Sequence, residues 1–414
     1  MQPLRTIKMN VTARTEWAVE ASKIAQNSEI PLMETIRTWK ANPNKAIISF
    51  TSEDPTDQYN FKTSKETLNA IFHTIQTGKN NGYAPSVGYE NSRNAVAEYM
   101  SKKGVELTAK DIILCSGCSS ALDLCLTVMV DGRRNQNVLI PKPGFYLYKM
   151  LAKSLGISVK EYDLLPNDDW QINLYDLDRK IDSNTAAVLI SNPSNPCGSV
   201  YSTKHLLDIV EICDRHKIPI IADESYDQLV FNANFVSLGA LETTVPILIC
   251  GGLSKGFLVP GWRLGWILIV DPIDAFQTIR KGLVSLTQRI IGCNTVIQGA
   301  LPTILNANSD FIDDVNENLK KNATVAFEAF QIDGLKPYMP QGALHMIIGI
   351  DLNKFRFNTS MEFLQKFYEE ESVHCLPSEV FGVSGFMRII LVNTTDEIIE
   401  ASERLTNFCK KYIL

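Results

Sequence analysis

Lys255 sits in the run Gly-Gly-Leu-Ser-Lys-Gly-Phe (251–257), between an apolar segment and a tryptophan-rich one. A lysine held near cationic groups or partly desolvated gives up its proton more readily, and its free amine can form a Schiff base. Asp223 closes the apolar run Ile-Pro-Ile-Ile-Ala-Asp (218–223). A carboxylate at the end of a buried strand needs a partner, and a protonated ring nitrogen would serve. Ser-Gly-Cys-Ser-Ser-Ala (116–121) opens a helix candidate. Small residues at a helix N-terminus let backbone N–H groups approach an anion, which the helix dipole favours. Asn195 lies in Asn-Pro-Ser-Asn-Pro (192–196), and Tyr226 follows Asp223 by one turn of chain. Taken singly, each has a plainer reading: a solvated lysine, a salt-bridged aspartate, small capping residues. An acid, an amide, a phenol and a lysine at separate segment ends are harder to dismiss together.

The apolar runs at 111–115, 137–141, 186–191, 218–224, 246–250 and 264–270 mostly lack alternation. Both faces are therefore expected to be buried, as in parallel strands covered by helices. Helix candidates lie between them; 203–216 places Leu206, Val210 and Cys213 on one face. This pattern predicts a doubly wound α/β domain, placed over 81–305. Ligands of open parallel sheets sit beyond the C-terminal strand ends, where the polar groups fall. The pattern then changes. Helices are expected at 311–330, 360–371 and the C-terminus, with strands at 343–351 and 386–393. These predict a smaller α+β domain over 306–414. Residues 46–80 are expected to join it and lead into the large domain, with 1–45 as an arm. The fold class is thus α/β: a large, mostly parallel sheet domain with a smaller α+β domain built from the N- and C-terminal segments.

The chain of 414 residues carries 40 Lys+Arg against 46 Asp+Glu, a formal net charge of −6. That mild acidity argues against a general nucleic-acid binder, whose footprint would be basic. Apolar runs of about five residues fall far short of the roughly 18 a spanning helix needs, so no membrane association is expected. The first 15 residues, with Arg5, Lys8 and Arg14 and no acid, read as a basic tail, with a mitochondrial targeting segment as the alternative. Nine cysteines scattered through apolar segments read as reduced thiols of an intracellular, cytoplasmic protein. Cys115 and Cys118 form a lone C-x-x-C, and the five histidines are dispersed. No metal site is expected.

GGLSKGFLVPGWRLGW (251–266), NPSNPCG (192–198), IPIIADESY (218–226), NGYAPSVGY (81–89), SGCSSALDLCL (116–126), PGFYLYKMLAKSLGI (143–157) and VHCLP (373–377) carry a family likeness. The chain resembles the fold-type I pyridoxal-phosphate aminotransferases of class I, nearest to their tyrosine branch, from about residue 46 to 412. The resemblance implies pyridoxal 5'-phosphate as cofactor and transamination in two half-reactions. The implied donor is a tyrosine-like amino acid and the implied acceptor 2-oxoglutarate. It assigns Lys255 as the lysine that binds the cofactor covalently and shuttles the proton, and Asp223 as the partner of the pyridinium nitrogen. Asn195 and Tyr226 match the partners of the ring oxygen. Gly117, Cys118 and Ser119 match the phosphate loop, and Arg263 the phosphate arginine. Phe145 matches the aromatic that stacks on the ring. Tyr83 matches the tyrosine that reaches the neighbouring subunit's phosphate, which implies a homodimer. Arg388 matches the arginine that grips the substrate carboxylate as a fork.

The chain departs from the family in places. Glu53 stands in Thr-Ser-Glu-Asp-Pro-Thr (51–56), where the family has glycine before Asp-Pro-Thr. Ser225, Gly256 and Phe257 replace common residues near the ring and the lysine, and Glu34–Arg37 carries only part of the family's N-terminal pattern. Glu53 has three expected fates: turned outward, held by a basic neighbour such as Arg37, or facing the substrate and altering its choice. Two other functions compete with transamination. A C–S lyase on the same fold would share the lysine and its neighbours, and separates only by its substrate. A regulator that kept the fold without catalysis would not need Lys255, Asp223, Asn195, Arg263 and Arg388 together.

Overall fold

The computed structural model describes residues 20–56, 61–307 and 309–414; the basic segment at 1–15 lies outside them. Eight strands form one sheet, in the order Ile112–Cys115, Gly265–Val270, Ile247–Gly252, Ile220–Asp223, Thr185–Ser191, Asn137–Lys142, Ser158–Leu165 and Gln171–Ile172. The five strands from Ile247–Gly252 to Ser158–Leu165 pair in parallel. Gly265–Val270 runs antiparallel to both its neighbours, and Gln171–Ile172 is an antiparallel edge. The six apolar runs read from the sequence are all strands here.

Their lack of alternation has the expected cause. Ile112, Leu114, Leu139, Val188, Ile190, Ile220 and Ile249 join one apolar layer. Their chain neighbours Ile113, Cys115, Val138, Ile140, Leu189, Ile221 and Leu248 join the other. Successive side chains point to opposite faces of a strand, so two buried faces demand an unbroken apolar run. Helices Glu90–Ser101, Thr203–His216 and Thr295–Asn306 cover the first face, and Cys118–Met129, Tyr146–Ser154 and Gln277–Thr287 the second.

A second, antiparallel sheet has the order Leu335–Pro337, His345–Ile350, Phe386–Ile390, Leu376–Pro377. Helices Ser309–Ala329, Ser360–Glu371 and Thr395–Tyr412 pack with it around a separate apolar core. The N-terminal strand Ile48–Ser49 pairs in parallel with Val373–His374, and Ile36, Trp39, Ile48 and Phe50 contribute to that core. This pairing carries Glu53, four residues beyond the strand, to the boundary between the two sheets. All nine cysteines are free thiols, Cys118 half-buried and the rest buried. Among the described residues no helix is long and apolar enough to cross a membrane, and no acidic, histidine or cysteine cluster could hold a metal ion.

Candidate active site

At the C-terminal end of the parallel strands lies a cavity of about 180 Å³. Glu53, Cys118, Ser119, Phe145, Asn195, Asp223, Tyr226, Lys255 and Arg263 all line it. Strand geometry explains the convergence. Ile112–Cys115, Thr185–Ser191, Ile220–Asp223 and Ile247–Gly252 deliver Cys118, Asn195, Asp223 and Lys255 respectively from their ends or the loops that follow.

One wall is a helix start. Gly117 has φ +82°, a conformation glycine adopts freely. A Cβ at Gly117 would come within 2.4 Å of Arg263 Nη2, and one at Gly265 within 2.7 Å of the Cys118 nitrogen. The bare Gly117 lets the arginine lie against the helix start, and the bare Gly265 lets its strand approach the 117–118 backbone. Arg263 donates from Nη2 to the Ser116 carbonyl (3.1 Å) and from Nη1 to the Pro260 carbonyl (2.9 Å). A helix N-terminus with a guanidinium beside it is suited to a phosphate.

Opposite stands Asp223, 5 % exposed. Its carboxylate accepts from Tyr148 Oη at 2.7 Å, from the Ser225 N–H at 3.1 Å and from Cys118 Sγ at 3.7 Å. Burial pushes the Cys118 thiol well up, with the Asp223 charge adding to it, so Cys118 is a weak donor and no nucleophile. Burial also pushes up the Tyr226 phenol, reinforced by the Glu53 charge. Lys255 points to the cavity, and its ammonium donates to the Glu53 carbonyl. Burial lowers the Lys255 pKa, helped by the Arg388 charge and opposed by that of Glu53.

Arg388 belongs to the second sheet and is fully buried. Its Nη1 donates to Asn195 Oδ1 at 2.9 Å and to the Glu53 carboxylate. Of the three fates expected for Glu53, pairing with Arg37 is thereby corrected: Arg37 pairs with Glu34 at 2.6 Å on the surface, and Glu53 pairs with Arg388. Burial works against ionisation of Glu53, but Arg388, His345 and Lys255 together outweigh it and hold the carboxyl well below the usual carboxylate range. Three expected site residues do not line the cavity: Gly117 precedes the lining residue Cys118, Arg388 is fully buried against the lining residues Glu53 and Asn195, and Tyr83 is 88 % exposed on the surface of this chain.

Two residues here escaped the sequence reading. Tyr148 lies in the first turn of Tyr146–Ser154, three residues after its N-cap Phe145, and the two rings meet edge to face with centroids 5.7 Å apart; its closeness in sequence to Phe145 could have flagged it. His345 is a lone polar residue in an apolar strand, fully buried, with Nε2 3.6 Å from Glu53 Oε2; only the fold brings it to the site.

Residues 45–405 match the model of the family described as aminotransferase class I and II. The chain is 44% identical to the tyrosine aminotransferase of Mus musculus over 406 residues, 96% of this chain and 89% of that protein. It is 35% identical to an S-alkyl-thiohydroximate lyase of Arabidopsis thaliana over 89% of this chain and 81% of that protein. The crystal structure of a tyrosine aminotransferase from Leishmania infantum superposes with a TM-score of 0.93 at 33% identity, covering 97% of this chain and all of that one. Family model, overall fold and the convergence on Lys255 agree: the chain belongs to the class I and II aminotransferases, enzymes that use pyridoxal 5'-phosphate.

Proposed function

We propose that this enzyme moves the amino group of an aromatic, tyrosine-like amino acid to 2-oxoglutarate through one site, in two half-reactions, in the cytoplasm. The observation that carries the reading is one cavity bordered by an amine with a lowered pKa, a buried carboxylate and a helix start with its own arginine. The tyrosine aminotransferases among its relatives supply the substrate class.

The residues present fit the cofactor. The Gly117 cradle, which a Cβ would fill, leaves the N–H groups of Cys118 and Ser119 and the Arg263 fork for the phosphate. Asp223 is a carboxylate already oriented by three donors. Its remaining capacity suits a protonated ring nitrogen, and its charge keeps that proton in place. Asn195 and Tyr226 would hold the ring oxygen and Phe145 the ring face. When bound, pyridoxal phosphate supplies a conjugated ring that takes up the electron pair left as the substrate Cα–H bond breaks. Lys255 Nζ, its pKa lowered by burial, is the base that takes the Cα proton and the acid that returns it. Arg388 grips the substrate carboxylate and so fixes Cα within reach of that nitrogen. In the same reading, 81–305 is the cofactor-binding domain, 46–80 and 306–414 form the smaller one, and 1–45 is an arm. The separate apolar cores support two domains but shift these bounds: Ile36 and Trp39 pack in the smaller core and Ala70 in the larger.

The test is the loaded protein with tyrosine and 2-oxoglutarate, followed by formation of 4-hydroxyphenylpyruvate. The likeness to a plant C–S lyase favours one second reading, elimination at the same site. Cystathionine in a parallel assay separates the two. Thiol release without oxo-acid formation from tyrosine would replace the first reading with the second.

We further propose a homodimer. Tyr83 is exposed, and Leu68, Phe72 and Ile75 form an uncovered apolar stripe on helix Lys65–Thr77. Sedimentation of the loaded enzyme is expected to give twice the mass of the chain. Tyr83→Phe should weaken cofactor retention while leaving the dimer intact. A fully active monomer would overturn the assignment.

A further inference from the structure

Arg388 is fully buried, yet among the described residues its Nε and Nη2 have no hydrogen-bond partner. A guanidinium carries five donors in a planar fork, and leaving buried donors unmade is costly. Glu53 does not fill the fork. One of its oxygens takes Nη1; the other stands 3.5 Å from Asn195 Nδ2 and 3.6 Å from His345 Nε2. Glu53 thus neutralises Arg388 while leaving the bidentate edge vacant. It lines the cavity, with 27 % of its side chain exposed, so it is placed to move. Beside it His345 is fully buried, and among the described residues neither ring nitrogen has a hydrogen-bond partner.

We propose that Glu53 is a specificity-determining residue: it competes with the substrate carboxylate for Arg388 and is handed to His345, with uptake of one proton, when that carboxylate binds. This rests on Arg388 as the carboxylate seat.

Two carboxylates cannot share one buried guanidinium at no cost. At an effective dielectric of about 20, like charges about 5 Å apart repel enough to weaken binding on the order of 100-fold. A proton on the Glu53–His345 pair removes that cost. The resting site keeps the pair unprotonated. Burial lowers the His345 pKa to about 4, with the Arg388 charge adding to it, and Arg388 holds Glu53 ionised. Once a substrate carboxylate takes Arg388 and fills the cavity, burial remains and the stabilising pair is lost. The Glu53 carboxyl then rises, and His345 gains an adjacent acceptor for its proton.

The other titratable groups facing Glu53 are Lys255, Tyr146 and Tyr226, with Asp54 and Asp223 beyond Lys255. Burial keeps both phenols protonated through the working range. Lys255, joined to the cofactor, reports its own protonation in the visible spectrum. A ligand with no carboxylate meets no competition from Glu53, so the enzyme should discriminate between an amino acid and the corresponding amine less than Arg388 alone would allow.

The test uses the loaded enzyme and 3-(4-hydroxyphenyl)propionate, a carboxylate with no amino group to react. Calorimetric titration in two buffers of different ionisation enthalpy counts protons, and cofactor absorbance is recorded in parallel. With His345 resting at about 4 and a penalty on the order of 100-fold, binding raises the pKa of the pair by about two. Native enzyme is therefore expected to take up a proton not accounted for by the cofactor as pH falls through about 6, and to bind up to about tenfold more tightly per unit fall in pH between about 6 and 4. Glu53→Gln should bind on the order of 100-fold more tightly, with that proton and that pH dependence gone. Glu53→Gly, which restores the open position, should behave alike and guards against a misfolded variant. Affinity within twofold of native and unchanged proton uptake in both variants would overturn the proposal. Arg388→Met in the Glu53→Gln background tests the seat itself: undiminished binding there means the carboxylate goes elsewhere and the assignment of Arg388 fails. Abolished binding with an ineffective Glu53→Gln overturns the role of Glu53 alone.

Discussion

Lys255→Ala is expected to lower transamination by about 10⁴-fold or more, because it removes a covalent anchor and an acid–base group together. The native amine is prepared for both tasks. It lines the cavity, and burial depresses its pKa, aided by the Arg388 charge. Alanine leaves the groups proposed to hold the phosphate and the ring nitrogen in place, so the variant should still bind pyridoxal phosphate, non-covalently and with altered absorbance. The two functions are separable. Borohydride reduction of the loaded native enzyme should fix the cofactor on the peptide containing Lys255, and the alanine variant should retain none after denaturation. Label on another lysine, or none on the native protein, would sink the assignment. Full anchoring on Lys255 with an active alanine variant would leave the anchor but remove the proton shuttle.

How much of this was readable beforehand depends on how local the signal is. Strands such as Ile220–Asp223 announce themselves because both faces are buried and every residue must be apolar. Ser158–Leu165 gives no such sign. Lys160, Glu161 and Asp163 interrupt it, since it is covered on its outer edge only by a two-residue strand. The antiparallel direction of Gly265–Val270 is likewise absent from its composition, which matches that of its parallel neighbours. In the site, Lys255, Asp223 and the 116–121 turn stand out because each is a polar interruption at a strand end. Glu53 was legible as an oddity and illegible as a contact. Its partner Arg388 is 335 residues away, and the pairing exists only because Ile48–Ser49 docks on Val373–His374. His345, similarly, is one more residue of an apolar strand until that docking brings Glu53 beside it.

Asp223→Asn is expected to preserve the fold and cost on the order of 100- to 1000-fold in kcat, the scale of losing one preorganised electrostatic partner. The substitution is nearly isosteric. The Ser225 N–H can still meet a carbonyl oxygen, and the Tyr148 hydroxyl can turn to accept from the new amide, so the local hydrogen bonds survive in altered sense. What vanishes is the negative charge. A neutral amide cannot hold a ring nitrogen in its protonated form, and without that proton the ring accepts less of the electron pair released at Cα. The loss should therefore fall on kcat, with cofactor binding nearly intact because the groups proposed for the phosphate are untouched. Tyr148→Phe makes the opposite change: it removes one donor to the carboxylate and leaves the charge. A hydrogen bond to a charged group is worth roughly 1.5–3 kcal/mol, but the carboxylate keeps its Ser225 N–H, so the expected cost is about tenfold in kcat, well short of the asparagine variant. Equal losses in the two variants would mean that Asp223 serves chiefly to organise the site through its hydrogen bonds. Near-normal turnover in Asp223→Asn would remove it from the chemistry altogether. The expected ranking, asparagine far below phenylalanine and phenylalanine below native, holds only if the charge itself is what Asp223 contributes.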